Sequence, residues 1–131
     1  MGKPILEVAI ATADGQAGKT RALVDSGSHY TIVREGALPP GAVFVRFAAE
    51  REFGTAGQAG RLRAVGELIL VLTIQGKKVR TPAYVSPELR QQLLIGAETM
   101  QAWDITIRNA NGHTEVLVGH DMNDPDITEI D

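Results

Sequence analysis

The chain contains no cysteine in 131 residues. Disulfide bonds, thiol nucleophiles and zinc–thiolate sites are therefore excluded, and a reducing compartment fits. It has no long uncharged apolar run, so the sequence offers no transmembrane helix. The opening Met1-Gly2-Lys3-Pro4 lacks the apolar core of a secretory signal. A cytoplasmic protein, or a soluble domain of a larger one, is the expectation. There is no large excess of either charge: 13 basic and 16 acidic residues give a net −3. Five of the acids (Asp121, Asp124, Asp126, Glu129 and Asp131) fall in residues 119–131 beside no Lys or Arg, which leaves 11 acidic against 13 basic residues elsewhere. Neither part has the basic stripe of a nucleic-acid-binding surface. The three histidines, His29, His113 and His120, are scattered and show no metal-ligand spacing. No metal and no cofactor is expected.

What is present reads as a single, mainly β domain. Hydrophobic residues make up 44% of the chain, enough for a core at this length. Apolar, β-prone runs cover Ile5–Ala11, Lys19–Val24, Thr31–Val33, Val43–Phe47, Glu67–Ile74, Lys77–Val85 and Leu93–Ile95. Asp14-Gly15, Gln75-Gly76 and above all Asn111-Gly112 are turn signals, the last predicting a hairpin of Asp104–Arg108 with Thr114–Val118. Ser86-Pro87-Glu88 has the order of a helix N-cap with proline at the first helical position. Ala97–Trp103 is the strongest helical segment, with Trp103 expected in the core. Lys77, Lys78 and Arg80 read as a solvated strand face. Gly54, Gly57 and Gly60 among small residues read as a mobile loop. Many short strands, glycine turns and one helix predict an all-β fold, a small closed barrel. The boundaries expected are a domain over 1–119 and a flexible acidic tail over 120–131.

One stretch carries chemistry. In Ala22-Leu23-Val24-Asp25-Ser26-Gly27-Ser28 an apolar strand ends in an aspartate and then turns through two small hydroxyl residues and a glycine. A carboxylate at the end of a buried strand is costly unless it is hydrogen-bonded or functional. Gly27 permits a tight turn and a close backbone approach. The pattern is short, and an ordinary Asx turn would use the same residues.

The chain resembles the retropepsin family, the single-domain aspartic proteases of retroviruses and their cellular and bacterial relatives. Two motifs carry the resemblance: Leu23-Val24-Asp25-Ser26-Gly27-Ser28 followed by Thr31-Ile32-Val33, and Leu94-Ile95-Gly96 leading into the helix at Ala97. The similarity extends over residues 4–119. It implies a homodimeric endopeptidase in which Asp25 from each subunit meets its twin at a two-fold axis. Like charges so close cannot both ionise, so the pair would share one proton and activate a water. Ser26 would bond across the dimer, Gly27 would present its backbone to substrate, and a glycine-rich flap around Phe53–Arg63, with Gly54, Thr55, Ala56 and Gly57 at its tip, would close over an extended peptide. Leu23, Ser28, His29, Tyr30, Ile32, Leu94 and Ile95 would line an apolar groove.

The match has departures. Viral members usually carry an aspartate two residues after the glycine of the first motif and an arginine after the glycine of the second. Here these positions are His29 and Ala97, so both partners of a charge pair are missing together. In this respect the chain looks more like cellular and bacterial members than viral ones. Ser28 stands where retroviral enzymes commonly have alanine. Its hydroxyl could reach the Asp25 carboxylate or merely bond nearby backbone. Two other functions remain open: a retropepsin-like dimerisation or binding module without proteolysis, and an unrelated small ligand-binding barrel.

Overall fold

A computed structural model describes residues 4–55 and 58–124, and of residues 55 and 58–60 the backbone only. Among these residues lie nine strands: β1 (Ile5–Thr12), β2 (Ala17–Val24), β3 (Ile32–Arg34), β4 (Val45–Thr55), β5 (Gln58–Ile74), β6 (Lys77–Ser86), β7 (Leu93–Ile95), β8 (Ile105–Ala110) and β9 (His113–Val118). One α-helix, α1 (Ala97–Ala102), and a 3-10 turn at Glu35–Ala37 complete the set. No helix among the described residues is long and apolar enough to cross a membrane.

Six strands close on themselves in the order β1-β2-β7-β3-β6-β5, with β5 returning to β1. Strand β4 hangs outside this ring as a hairpin with β5. Alternation explains the closure. Val8, Ile10 and Thr12 in β1, Thr20, Ala22 and Val24 in β2, and Val79, Thr81, Ala83 and Val85 in β6 are buried, while the residues between them are exposed or half-buried. Leu70, Leu72 and Ile74 of β5, Leu93 and Ile95 of β7, Val33 of β3, Ile105 of β8 and Val116 of β9 complete the core. A second, smaller cluster of Ile32, Leu62, Leu89 and Leu94 lies under the β4–β5 hairpin, with Tyr30 and Tyr84 packed against it.

The turns follow local chemistry. Asn111 and Gly112 have φ values of 51° and 77°, and Gln75 and Gly76 have 50° and 83°. Both pairs adopt the double left-handed geometry that suits a two-residue hairpin. Gly66 has a different role. A Cβ there would lie 2.3 Å from the Val45 carbonyl oxygen and 2.5 Å from the Phe44 ring, so glycine is what lets β4 begin against β5.

Two expectations are corrected. Residues 86–92 form no helix among the described elements. Ser86 Oγ does accept the Glu88 N–H at 3.3 Å, but Leu89 is buried in the second cluster and the chain enters β7 at Leu93. The local cap signal is overridden by the need to return to the barrel. Strand β5 begins at Gln58 rather than Glu67, because its first part pairs with β4 instead of the barrel. The segment after Gly119 stays attached as far as Asp124: Met122 N–H bonds the Lys78 carbonyl at 2.7 Å and Asp121 accepts the Lys78 N–H at 3.3 Å. The rest of the acidic segment, 125–131, lies outside the described residues. Lys77, Lys78 and Arg80 are exposed, and Trp103, partly buried against the core, donates its indole N–H to the Arg80 carbonyl at 2.9 Å.

The fully buried Leu72 sits at the centre of the barrel. Leu72→Ala is expected to lower unfolding free energy by about 3 kcal/mol, read by urea denaturation at one fixed protein concentration. A loss below ~1 kcal/mol would mean that this layer is not packed as described.

Candidate active site

Asp25 follows the last residue of β2. That strand lies parallel to β7 with Val24 opposite Ile95, and the pairing runs on through the Asp25 N–H, which bonds the Ile95 carbonyl at 2.9 Å. Asp25 Oδ1 accepts the Gly27 N–H at 2.8 Å, and the Asp25 carbonyl accepts the Ser28 N–H at 3.2 Å. The carboxylate is thus oriented by the turn that follows it. This is the Asx-turn bond, and it leaves Oδ2 free of any hydrogen bond among the described residues. Asp25 is half-buried, while Ser26 and Gly27 are exposed at the loop tip.

The outgoing side of the loop is bound to α1. Ala97 N–H bonds the Ser28 carbonyl at 2.7 Å, and Glu98 N–H bonds the His29 carbonyl at 2.9 Å. The first turn of a helix has N–H groups with no partner inside the helix, and no side chain caps this one. The loop carbonyls do so instead. Gly96 makes the approach possible: a Cβ there would stand 2.3 Å from the Tyr30 carbonyl oxygen and 2.8 Å from that of Ser28.

Beneath lies a chain of buried hydroxyls that sequence reading did not single out. Gly96 N–H donates to Thr31 Oγ1 at 3.1 Å, Thr31 bonds Thr99, Thr99 bonds Thr81 at 2.7 Å, and Thr81 donates to the Pro82 carbonyl at 2.9 Å. Because the Thr81 proton goes to Pro82, Thr99 must donate to Thr81 and Thr31 to Thr99. Every hydroxyl then gives one bond and takes one. Thr31 and Thr99 belonged to segments expected as strand and helix. A threonine on the buried face of a short helix was the only signal available.

The other expected site residues divide into three groups. Leu23 is half-buried, and His29 and Tyr30 stand on the outgoing loop. His29 Nε2 lies 3.5 Å from Glu98 Oε2, an ion pair when the imidazole is protonated. Tyr30 packs with Phe53 and Tyr84 at ring distances of 5.3 and 5.1 Å, and Phe47 joins Tyr84 at 6.0 Å. Four of the six aromatic side chains of the sequence therefore gather between the loop and the hairpin.

Ser28, Ile32, Leu94 and Ile95 are buried, at 4%, 1%, 5% and 0% exposure. Ile95 belongs to the barrel core, which corrects its placement as a groove residue. Ile32 and Leu94 pack with Leu62 and Leu89 in the second cluster. Ser28 Oγ donates to the Tyr30 carbonyl at 2.9 Å, so its proton is spent on nearby backbone and not on Asp25.

Gly54 and Thr55 are in the β4–β5 hairpin, where Gly54 pairs with Arg61 and Thr55 with Gln58. Ala56 and Gly57 lie outside the described residues. The hairpin is fastened at its base by Arg63. Glu88 accepts its backbone N–H at 2.8 Å and its Nε at 3.4 Å, and Glu50 takes Nη1 at 3.0 Å. Hydrogen bonding and attraction from Glu50, then attraction from Glu88, raise the Arg63 pKa above its ordinary value. The register slips between Arg46 and Arg51, so that Phe47–Glu50 bulge opposite Val65.

Two cavities are relevant. A cavity of about 540 Å³ between the β1–β2 turn and β4 is lined by Thr12, Val43, Phe44, Val45 and Ile69. Asp14 and Glu67 also stand in its wall, but it holds none of the Asp25 loop, so its size does not make it the site. A depression of about 220 Å³ lies beside the loop tip, between Ser26, Met100, Gln101 and Ile105. Among the described residues, no group of three or more histidine and carboxylate side chains could hold a metal ion.

A strand-end aspartate in a tight turn, crossed by an apolar-apolar-Gly strand end in a closed six-stranded barrel, defines a retropepsin-type fold. The sequence model of the family described as retroviral aspartyl protease matches residues 2–108, and the chain belongs to that family. No match to the chain was found among curated proteins.

Gly96→Ala should cost about 2 kcal/mol or more in a urea titration, because the colliding atoms are backbone and cannot swing away. A variant as stable as the parent would show that the loop and α1 have room to separate.

Proposed function

We propose that two copies of this chain form an aspartic endopeptidase, with Asp25 of each subunit in one shared site. The observation that carries this reading is the Asp25 carboxylate itself: held on one oxygen by the Gly27 N–H, open on the other, in a loop whose tip is exposed. One chain has one such loop and therefore half a site. The exposed Ser26-Gly27 tip and the depression beside it are where the second copy docks. The Ile5–Val8 part of β1 is available to extend that interface, since β5 pairs with β1 only from Ala9 onward.

In the dimer the two carboxylates share one proton. The ionised one takes a proton from a water placed between them, and that water attacks the scissile carbonyl. The protonated one gives its proton to the carbonyl oxygen; the one that took the water's proton then passes it to the leaving amine, and the first recovers a proton from the tetrahedral intermediate as it collapses. Ser26 bonds across the two-fold axis and stiffens both loops. Gly27 offers backbone to the peptide, which lies extended under the β4–β5 hairpin acting as a flap. Lifting that hairpin uncovers Ile32 and Leu94, which favours apolar side chains beside the cut.

Asp25→Asn should fold and dimerise as the parent does and lose several orders of magnitude in kcat/KM, measured by cleavage of a peptide library from acid to neutral pH. Retention of more than a few per cent of activity would sink the mechanism. Absence of cleavage by the parent protein, with the dimer intact, would leave a dimerisation module. Specific activity should also fall on dilution through the dimer dissociation constant, followed alongside light scattering. Constant specific activity from a monomer would rule out a shared site.

A further inference from the structure

The β4–β5 hairpin carries four arginines, and one of them is unlike the rest. Arg46 pairs with Glu35 at 3.0 Å, Arg61 with Glu52 at 3.2 Å, and Arg63 with Glu50 and Glu88 at 3.0 and 3.4 Å. Arg51 has no carboxylate at ion-pair distance among the described residues. It instead donates to the neutral Tyr84 hydroxyl at 3.0 Å. Its guanidinium lies over three rings, 5.3 Å from the centroid of Tyr84, 5.5 Å from Phe53 and 5.9 Å from Phe47. The two acids nearest in sequence, Glu50 and Glu52, are already taken by Arg63 and Arg61.

Resting on the proteolytic reading above, we infer that Arg51 sets substrate specificity by receiving a carboxylate of the bound peptide. An arginine has five N–H donors. The phenol occupies one nitrogen, and the side chain is exposed, which leaves donors for a ligand. The aromatic faces hold the guanidinium in place before a ligand arrives, which reduces the ordering cost of a two-pronged contact with a carboxylate.

The sheet order locates the contact along the peptide. Val24 neighbours Ile95, Leu94 neighbours Ile32, and Ile32 neighbours Tyr84. Tyr84 is therefore three strand spacings from the end of β2, about 14 Å at ~4.8 Å each. An extended peptide covers that span in about four residues at ~3.4 Å per residue. The acidic residue belongs about four positions from the scissile bond, and the two-fold axis places an equivalent contact on each side.

The experiment compares two peptides differing only in Glu or Gln at that position, with the parent protein, Arg51→Gln and Arg51→Lys. The parent should cleave the Glu peptide about fivefold better in kcat/KM, the scale of a partly exposed charge pair. Arg51→Gln should bring that ratio to about one, and Arg51→Lys should keep part of it. A purely structural loss would lower both peptides together and leave the ratio unchanged. A parent ratio of one, or a parent-like ratio in Arg51→Gln, overturns the inference. If the parent cleaves neither peptide, the proteolytic reading fails. Fluorescence anisotropy of the same labelled peptides then decides the Arg51 assignment by the same Glu-to-Gln ratio in binding.

Discussion

The crossing of the Asp25 loop over the start of α1 is the contact on which the site depends. Two carbonyls of the loop, Ser28 and His29, satisfy the N–H groups of Ala97 and Glu98, and a third, Tyr30, presses on Gly96. Each side solves the other's problem. The loop would otherwise carry carbonyls without partners in a half-buried position, and the helix would begin with unpaired donors. The hydroxyl chain through Thr31, Thr99 and Thr81 ties this crossing to β6. The orientation of one carboxylate is therefore fixed by three separate parts of the chain.

The hairpin is secured by different means. The barrel is held by apolar layers, whereas the β4–β5 hairpin is held at its base by charge, through Arg63 with Glu50 and Glu88, and on its inner side by aromatic rings. Exposed ion pairs contribute little to stability and reform readily. The bulge at Phe47–Glu50 relaxes the strand between the part bonded to the barrel and the part that covers Ile32 and Leu94.

The sequence made legible what depends on neighbouring residues. Asn111-Gly112 and Gln75-Gly76 impose their own backbone angles, and both hairpins stand where those pairs predict them. The Asp25 turn is equally local, through the Gly27 bond to its side chain. The Gly96 motif was readable because only glycine tolerates such an approach. Elsewhere distant partners decided the outcome. Ser86-Pro87 gave a sound local cap, but burial of Leu89 and the position of β7 took the chain elsewhere. Ile95 looked like a groove residue by its place beside Asp25, yet inward alternation puts it in the core. The isolation of Arg51 cannot be read from a line of residues. It appears only once the other three arginines have found their acids.

The order of the barrel strands has a consequence for synthesis. Strand β2 leads into Asp25 but finds its parallel neighbour β7 only after the intervening strands, and contacts such as Thr20 with Gln92 join residues 72 apart. Pairings this distant in sequence form late and slowly. A ribosome that has released Asp25 has not yet released Ile95, Gly96 or Ala97, which position it. The growing chain therefore passes through a long interval in which the aspartate has its own turn but none of the distant partners that fix the loop. A chain that stops short of Leu93 leaves the barrel without one of its staves and never assembles the loop.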